Sequence, residues 1–312
     1  MAVYEVYSTP VLQRYKAGIC TKTTLFMILA FLFTVIPPFL VAYRSEGFWL
    51  KEDFYREQPS VSFKHQIMMV LDLLDSSYLT WSTYQNYNQL QQDHLRVPLV
   101  KTREEDVNRD GRPDMLHYNI EVPLQDLEQV YSAKLILIFG YKLNRFSSVR
   151  MESMAYAYHT GPVPISLFNI EGELKLQLKE PLAHKGLDTR YDVPVINSES
   201  IFAGDYQLTT IFSNYARRNV TTKLQCDYPV VQTGRGAGQP LILKGTIHFP
   251  VETIPYVPGF WQVMKFAWIQ YLAVLVLFIF IMERVKNFVF ANQIVTTVVE
   301  RPYPLVSKNH YH

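Results

Sequence analysis

One short segment has the residue types and spacing of a calcium-binding loop. In the sequence DVNRDGRPD, side-chain oxygens recur at relative positions 1, 3, 5 and 9, which are Asp106, Asn108, Asp110 and Asp114. A calcium loop uses such oxygens together with a backbone carbonyl at position 7, which here belongs to Arg112. The spacing therefore predicts a calcium site with a dissociation constant of order 10⁻⁴ to 10⁻³ M, the range of extracellular modules.

The same segment departs from an EF-hand in two ways. Position 12 is His117 where an EF-hand has a bidentate glutamate, and a strand is predicted where a helix should follow. Gly111 at position 6 does permit the tight turn. The alternative interpretation is a turn in which Asp and Asn side chains accept hydrogen bonds from their own backbone. Weak calcium is the only cofactor that the sequence suggests, and none is required.

The sequence contains none of the common catalytic patterns. It has no HExxH pair, no GxSxG elbow and no Walker loop. The formal net charge of +2 and the pI near 8.3 also lack the basic excess of a nucleic-acid-binding protein. We therefore expect the protein to be neither an enzyme nor a nucleic-acid-binding protein.

Three further patterns predict modification or sorting. Asn219 opens the only N-x-S/T sequon, which predicts an N-linked glycan on the extracytosolic side. Cys20 precedes the first apolar run, where acylation occurs, although a free thiol is the commoner fate. Tyr303 and Val306 fit a tyrosine-x-x-apolar sorting signal, a pattern that also arises by chance. Since Cys226 is the only other cysteine, the segment between the apolar runs forms no internal disulfide.

Two uncharged apolar runs near the chain ends predict two transmembrane helices. Thr24–Val41 has 18 residues and Phe266–Met282 has 17. A helix of 18 residues is about 27 Å long, close to the hydrocarbon thickness of a bilayer. Pro37 and Pro38 each remove a backbone donor, so we predict that the first helix kinks or stops there. A cleavable signal peptide is the alternative for the first run, but its polar lead and its core are both long for a signal.

Basic residues around the second run set the orientation. The tail after Met282 carries four basic residues, whereas the 20 residues before Phe260 contain only Lys244. Positive charges gather on the cytosolic side, so both termini are predicted to be cytosolic. The predicted organisation is a cytosolic segment (1–23), a first transmembrane helix (24–42), an extracellular or lumenal β-rich domain (43–259), a second transmembrane helix (260–282) and a cytosolic tail (283–312).

The segment between the two runs has the pattern of a large all-β, sandwich-like domain, with short β-branched and aromatic runs separated by turn residues. In Glu173–Leu178, leucines alternate strictly with polar residues, as in a strand with one wet face. Other predicted strands are Val61–Val70, Met115–Val122, Ser132–Lys142, Met151–His159, Tyr206–Phe212 and Leu241–Phe249. Asp72–Gln92 fits either helix or strand, because aromatic residues recur every three positions in a Thr- and Ser-containing segment.

Three segments, Glu5–Phe26, Gly47–Phe63 and His248–Val274, resemble the transmembrane protein 231 family, and the layout of the whole chain is similar. The family belongs to the Meckel syndrome complex at the ciliary transition zone. The resemblance implies a scaffold that supports the diffusion barrier at the cilium base, with consequences for ciliogenesis and Hedgehog signalling. It also implies partners: tectonic proteins, B9-domain proteins and other Meckel-complex members, in contact with membrane lipid.

Two other classes of protein compete with this interpretation. An accessory subunit of a lipid flippase or channel can also have two spans and a large β-rich ectodomain. Such flippase subunits typically carry several ectodomain disulfides and glycans, whereas this chain has one cysteine and one sequon in that region. A lumenal hydrolase is the third class, and the lack of a catalytic motif argues against it.

Overall fold

The structure is a computed structural model that describes residues 13–45, 52–74 and 77–300. The chain divides into two compact units, one made of Met1–Lys51 with Gly259–His312 and the other of Glu52–Pro258. The strands are β1 (Arg14–Lys16), β2 (Asp53–Glu57), β3 (Ser60–Leu73), β4 (Tyr78–Ser82), β5 (Leu99–Glu105), β6 (Met115–Val122), β7 (Val130–Leu143), β8 (Ser148–Thr160), β9 (Ile165–Leu178), β10 (Leu182–Ala183), β11 (Leu187–Tyr191), β12 (Val220–Cys226), β13 (Val230–Thr233), β14 (Leu241–His248), β15 (Glu252–Val257) and β16 (Val298–Glu300). The helices are α1 (Lys22–Arg44), α2 (Gln85–Leu90), α3 (Leu208–Ala216) and α4 (Phe260–Ala291), with 3₁₀ turns at Gln92–His94 and Ala203–Tyr206.

The helical unit consists of α1 and α4, which are both long and apolar enough to cross a membrane. They pack antiparallel, since the rings of Phe26 and Phe290 lie 6.0 Å apart at one end and Ser45 Oγ donates to Gln270 Oε1 at 3.3 Å at the other. β1 and β16 pair antiparallel in the same unit. The two predicted apolar helices are therefore confirmed as elements.

The boundaries of both helices differ from the predicted ones. α1 continues through Pro37 and Pro38 to Arg44, so the predicted stop at the prolines is not observed. Pro38 is buried within the helical unit, and prolines are tolerated inside apolar helices. α4 continues past Met282 to Ala291, so the first residues of the predicted tail are helical.

The second unit is a β-sandwich, which confirms the predicted fold class. A five-stranded sheet has the order β11-β8-β7-β3-β4, and a larger sheet has the order β12-β9-β14-β6-β5, with β13 also paired to β9. A smaller sheet has the order β10-β15-β2. The two large sheets share one core, in which Met69 and Tyr141 from the first sheet and Leu116 and Ile120 from the second are fully buried.

The outer face of the five-stranded sheet is buried as well. Met68, Ile138 and Met154 on this face form a second cluster with Tyr87 of α2 and Ile211 of α3. Because β7 is covered on both faces, its sequence is a nearly continuous apolar run without polar alternation.

One predicted strand is wrong and one open segment is settled. Tyr206–Phe212, predicted as a strand, contains the end of a 3₁₀ turn and the start of α3. Ile211 and Tyr215 are buried four residues apart, so a helical period, not a strand period, places them in the second cluster. Asp72–Gln92 contains both alternatives, a strand at Tyr78–Ser82 and a short helix at Gln85–Leu90.

Candidate interaction and modification sites

The DVNRDGRPD segment connects β5 to β6, and its side-chain oxygens bind the amides of the loop itself. Asp106 accepts hydrogen bonds from the amides of Asp110 and Gly111 at 3.3 and 2.8 Å. Asn108 Oδ1 accepts one from the Asp110 amide at 2.8 Å, and Asp110 Oδ1 accepts one from the Arg112 amide at 2.9 Å. Gly111 has a φ of +83°, which glycine adopts without strain. These contacts match the alternative interpretation, a turn closed by its own side chains.

Asp114 ties this loop to the rest of the domain. Its carboxylate accepts hydrogen bonds from the amides of Val107 and Asn108 and from Gln58 Nε2, the last at 2.6 Å. Desolvation raises the pKa of Asp114, but these three hydrogen bonds outweigh it and hold the pKa below its ordinary value. Within residues 13–45, 52–74 and 77–300, no three His, Cys, Asp or Glu side chains are placed to hold a metal ion. The calcium site stays a prediction.

Calcium binding by this loop has a direct thermal test. Calcium at ten times the dissociation constant should stabilise the fold by about 1.4 kcal/mol, or about 3–5 °C in Tm. Asp110→Ala should remove the rise, because it deletes the oxygen at position 5. Glu199→Ala, which changes an exposed acidic residue in another loop, should leave it intact. A calcium-independent Tm at several millimolar calcium would leave only the turn interpretation.

Asn219 lies at the start of β12 and is half-buried. Its Nδ2 donates to Glu180 Oε2 at 3.3 Å. Thr221, the third residue of the sequon, is 9 % exposed, and its Oγ1 donates to the carbonyl of Gln177 at 3.3 Å. This arrangement leaves Asn219 partly exposed and Thr221 buried, so a glycan at this sequon would have to be attached before β12 is in place.

Glycosylation at Asn219 is expected when the protein is produced in a eukaryotic host. Glycosidase treatment should increase its gel mobility, and Asn219→Gln should abolish that change. Thr221→Val should abolish it too, while keeping the β-branched shape of this buried position. If glycosidase treatment left the gel mobility of the protein unchanged, this result would count against both the glycan and the extracytosolic position of the β domain.

Sequence reasoning missed a polar seam between the two large sheets. It joins β12, an edge strand of the larger sheet, to the part of β8 beyond Met151, where β11 no longer pairs with it and β8 is the edge of its sheet. Tyr215 of α3 places its hydroxyl between β12 and β8, where it accepts hydrogen bonds from the amides of Thr222 at 2.8 Å and Met154 at 3.3 Å. Thr222 Oγ1 lies 3.0 Å from the same hydroxyl and donates to the Met154 carbonyl at 2.9 Å. Arg218 Nη1 donates to the Glu152 carbonyl at 2.9 Å. These contacts satisfy backbone groups that a free sheet edge leaves open.

Glu252, the first residue of β15, binds the backbone of β9, which belongs to the larger of the two main sheets. Both of its carboxylate oxygens lie 2.8 Å from the amide nitrogen of Leu176 in β9. Burial raises the pKa of Glu252 to about 7, and the Leu176 hydrogen bond opposes that shift only in part. Since the folded-state pKa exceeds the ordinary value of 4.5, protonation of Glu252 favours the fold.

The stability of the β domain is therefore expected to depend on pH through Glu252. Its contribution is complete below about pH 4.5 and is lost as the pH rises through about 7. Glu252→Gln should flatten this fall, whose size is about 1–2 kcal/mol after allowance for solvent screening. Glu199→Gln, which changes an exposed acidic residue in another loop, is the control and should keep the fall. The measurement is Tm between pH 4.5 and 8.5; identical profiles for wild type and Glu252→Gln would contradict the assignment.

The two cysteines differ in exposure. Cys20 is exposed in the turn before α1, which leaves it accessible for acylation, and Cys226 is half-buried at the end of β12. Neither cysteine forms a disulfide in the structure. Tyr303 and Val306 lie outside the described residues, so the sorting signal stays a prediction.

The segments before α1 and after α4 are tied together. Besides the β1–β16 pairing, Thr23 Oγ1 donates to the carbonyl of Thr296 at 2.8 Å. The rings of Tyr15 and Phe290 lie 5.4 Å apart. The sequence predicted two separate tails, and nothing in it indicated this pairing.

Together these elements define a class: a transmembrane protein whose chain has one apolar helix before and one after the segment that forms a large β-sandwich. The sequence model of the family described as Transmembrane protein 231 matches residues 1–299. The chain is 49 % identical to Transmembrane protein 231 of Xenopus tropicalis over 311 residues, which cover 99 % of both chains. It is 51 % identical to the Homo sapiens protein of that name over 300 residues, covering 96 % of this chain and 95 % of the human one.

No solved structure matches the chain. The sequence matches alone show the family, because they cover nearly the whole chain at about 50 % identity. The chain belongs to the transmembrane protein 231 family.

Proposed function

We propose that the protein is a structural component of the membrane complex at the ciliary transition zone. In this role it supports the diffusion barrier that controls which membrane proteins enter the cilium, and thereby ciliogenesis and Hedgehog signalling. The observation that carries the proposal is family membership over residues 1–299. The role requires binding and placement in a membrane and needs no catalysis.

The proposed position is the membrane at the cilium base, with both termini cytosolic and the β domain outside the cytosol. The basic residues after Met282 support this orientation. The proposed partners are tectonic proteins, B9-domain proteins and other members of the Meckel complex. The ribbon of β1 and β16 and the segments beside it face the cytosolic partners in this arrangement, and the β domain faces the extracytosolic ones.

The construction of the β domain supports a scaffold role. Both faces of its five-stranded sheet are packed, and the edges of the two large sheets are joined by side-chain hydrogen bonds at Tyr215, Thr222 and Arg218. A domain without a disulfide obtains its rigidity from such packing and polar satisfaction. Rigidity keeps a binding surface in one geometry, which is what a scaffold contributes to its partners.

Proximity labelling tests the proposal. A full-length copy fused to a biotin ligase, expressed in ciliated cells, should label tectonic and B9-domain proteins. The variant Gly245→Val, which is expected to disrupt the β domain, should lose this labelling, whereas Gly204→Ala should retain it. Labelling of a P-type ATPase in place of transition-zone proteins would overturn the proposal in favour of an accessory subunit of a flippase.

A further inference from the structure

A cavity of about 350 Å³ lies beside the start of β12. Its walls come from the first residues of β8, from the connections on either side of β10, and from β11. β11 pairs with β8 and β10 pairs with β15, so strand pairing holds the walls in place. Asn219, the asparagine of the sequon, is one of the lining residues. The volume suits one small ligand, since small-molecule sites begin at about 300 Å³.

The position of Asn219 is fixed by its backbone. Its amide nitrogen donates to the Tyr191 hydroxyl at 3.1 Å, and its carbonyl oxygen accepts from the Lys179 amide at 3.0 Å. Nδ2, the atom that carries an N-linked glycan, lies 3.3 Å from Glu180 Oε2, and Glu180 also lines the cavity. Because Asn219 is only partly exposed, the first sugar of a glycan has to lie along this wall.

The lining has the chemistry of a site for a neutral sugar. Its charged residues are two acids and two bases, so their charges cancel: Glu180, Asp188, Lys185 and Arg190. Arg190 Nη2 and Asp188 Oδ2 already pair at 2.7 Å. Such a lining offers hydrogen-bonding groups to hydroxyls without an excess charge that calls for a counter-ion. Leu187, which also lines the cavity and is 60 % exposed, provides an apolar surface for the C–H face of a pyranose ring.

The order of assembly places the sugar in the cavity as the cavity forms. Thr221 is buried in β12, so attachment at this sequon has to precede the pairing of β12 with β9. The residues around Asn219 then close beside a sugar that is already attached. Tethering also gives the sugar a high effective concentration, so weak contacts with the walls are enough to keep it there.

We propose that the first N-acetylglucosamine of the chain's own glycan at Asn219 occupies this cavity and stabilises the β domain. The sugar connects β12 with β11 and with the connection before β10, which belong to different sheets. The glycan is then a structural part of the domain rather than a solvent-facing attachment. This inference rests on the predicted glycan and is separate from the transition-zone role.

Thermal unfolding of glycan-trimmed protein tests the proposal. Full-length protein is purified in detergent from eukaryotic cells that attach uniform high-mannose glycans, and an endoglycosidase then cuts after the first sugar. Intact and single-sugar protein should have the same Tm, because the first sugar makes the contacts. Glycan-free Asn219→Gln should melt about 3–5 °C lower. Wild-type protein from a host without N-glycosylation should melt with Asn219→Gln, which separates the loss of the sugar from the change of side chain.

A second substitution locates the sugar. Leu187→Ser removes the apolar surface inside the cavity and should shrink the Tm difference between single-sugar and glycan-free protein to less than about 1 °C. Leu127→Ser changes another exposed leucine, outside the cavity, and should leave that difference intact. Because each comparison is made within one variant, a general loss of stability cancels.

The following results would overturn the proposal. One is a wild-type protein without a glycan at Asn219, and another is an equal Tm for single-sugar and glycan-free protein. A stabilisation that disappears on trimming to one sugar would assign it to the outer sugars. Free N-acetylglucosamine that stabilises a wild-type protein lacking its own glycan would assign the cavity to an external sugar. No other protein is present, so none of these results bears on the transition-zone proposal.

Discussion

Gly245→Ala is expected to lower the free energy of unfolding of the β domain by about 3 kcal/mol or more, at the upper end of overpacking effects. Gly245 lies in the interior strand β14, between β6 and β9. A methyl group there would collide with the carbonyl oxygen of Ile170 and fall 2.8 Å from the hydroxyl of Tyr118, its partner in β6. The carbonyl belongs to the backbone and cannot swing away, so the sheet itself has to deform.

The matched control is Gly204→Ala, at a glycine whose added methyl would meet nothing within 4 Å. It should be neutral or slightly stabilising, since alanine restricts the unfolded chain. Thermal unfolding of the full-length protein in detergent should separate the two variants by about 6–12 °C. Equal Tm values would show that the sheet relaxes around the methyl group. Tyr118→Leu added to Gly245→Ala should recover only part of the loss, because the contact with Ile170 persists.

The strands that the sequence predicted best are those with one wet face. Met115–Val122 matches its predicted bounds, because Leu116, Tyr118 and Ile120 alternate with polar residues. The first residues of α3 were mistaken for a strand, since Tyr206–Phe212 is too short to separate two periods and its helical character lies in Tyr215, beyond the predicted segment. The pairing of strands could not be predicted either. β9 and β14 are parallel neighbours 60 or more residues apart in the chain, and no local sequence pattern encodes such a pairing.

The candidate sites also divide into those that the sequence revealed and those that it did not. The Asp and Asn residues of the β5–β6 loop were visible because their spacing is local, although spacing alone did not separate a metal loop from a self-closed turn. Tyr215 and Glu252 could not be identified from the sequence, because each binds a backbone amide far away in the chain, that of Met154 for Tyr215 and that of Leu176 for Glu252. The local sequence does not distinguish a tyrosine whose hydroxyl binds backbone amides of two strands from a tyrosine that only packs in the core.

Tyr215→Phe is expected to lower the free energy of unfolding by about 2–4 kcal/mol, because two buried amides lose their acceptor. The amides belong to Thr222 and Met154, on the facing edges of the two sheets. Thr222 Oγ1 keeps its bond to the Met154 carbonyl at 2.9 Å, so the seam is weakened and not abolished. The phenyl ring retains the packing of Tyr215, which is 6 % exposed, so the loss measures the hydroxyl alone. Chemical denaturation with circular dichroism at a strand wavelength is the measurement.

Tyr84→Phe provides the comparison that makes this result specific. Tyr84 belongs to the same second cluster as Tyr215 and is 4 % exposed, yet its hydroxyl has no hydrogen-bond partner among the described residues. Burial raises the pKa of Tyr84, as expected for a hydroxyl removed from water. Since this hydroxyl was desolvated without compensation, its deletion should be neutral or stabilise the domain by up to about 1 kcal/mol. Two tyrosines of similar burial should therefore respond differently. A similar loss at both would mean that the loss follows from deleting any buried hydroxyl and not from the hydrogen bonds that Tyr215 makes in the polar seam.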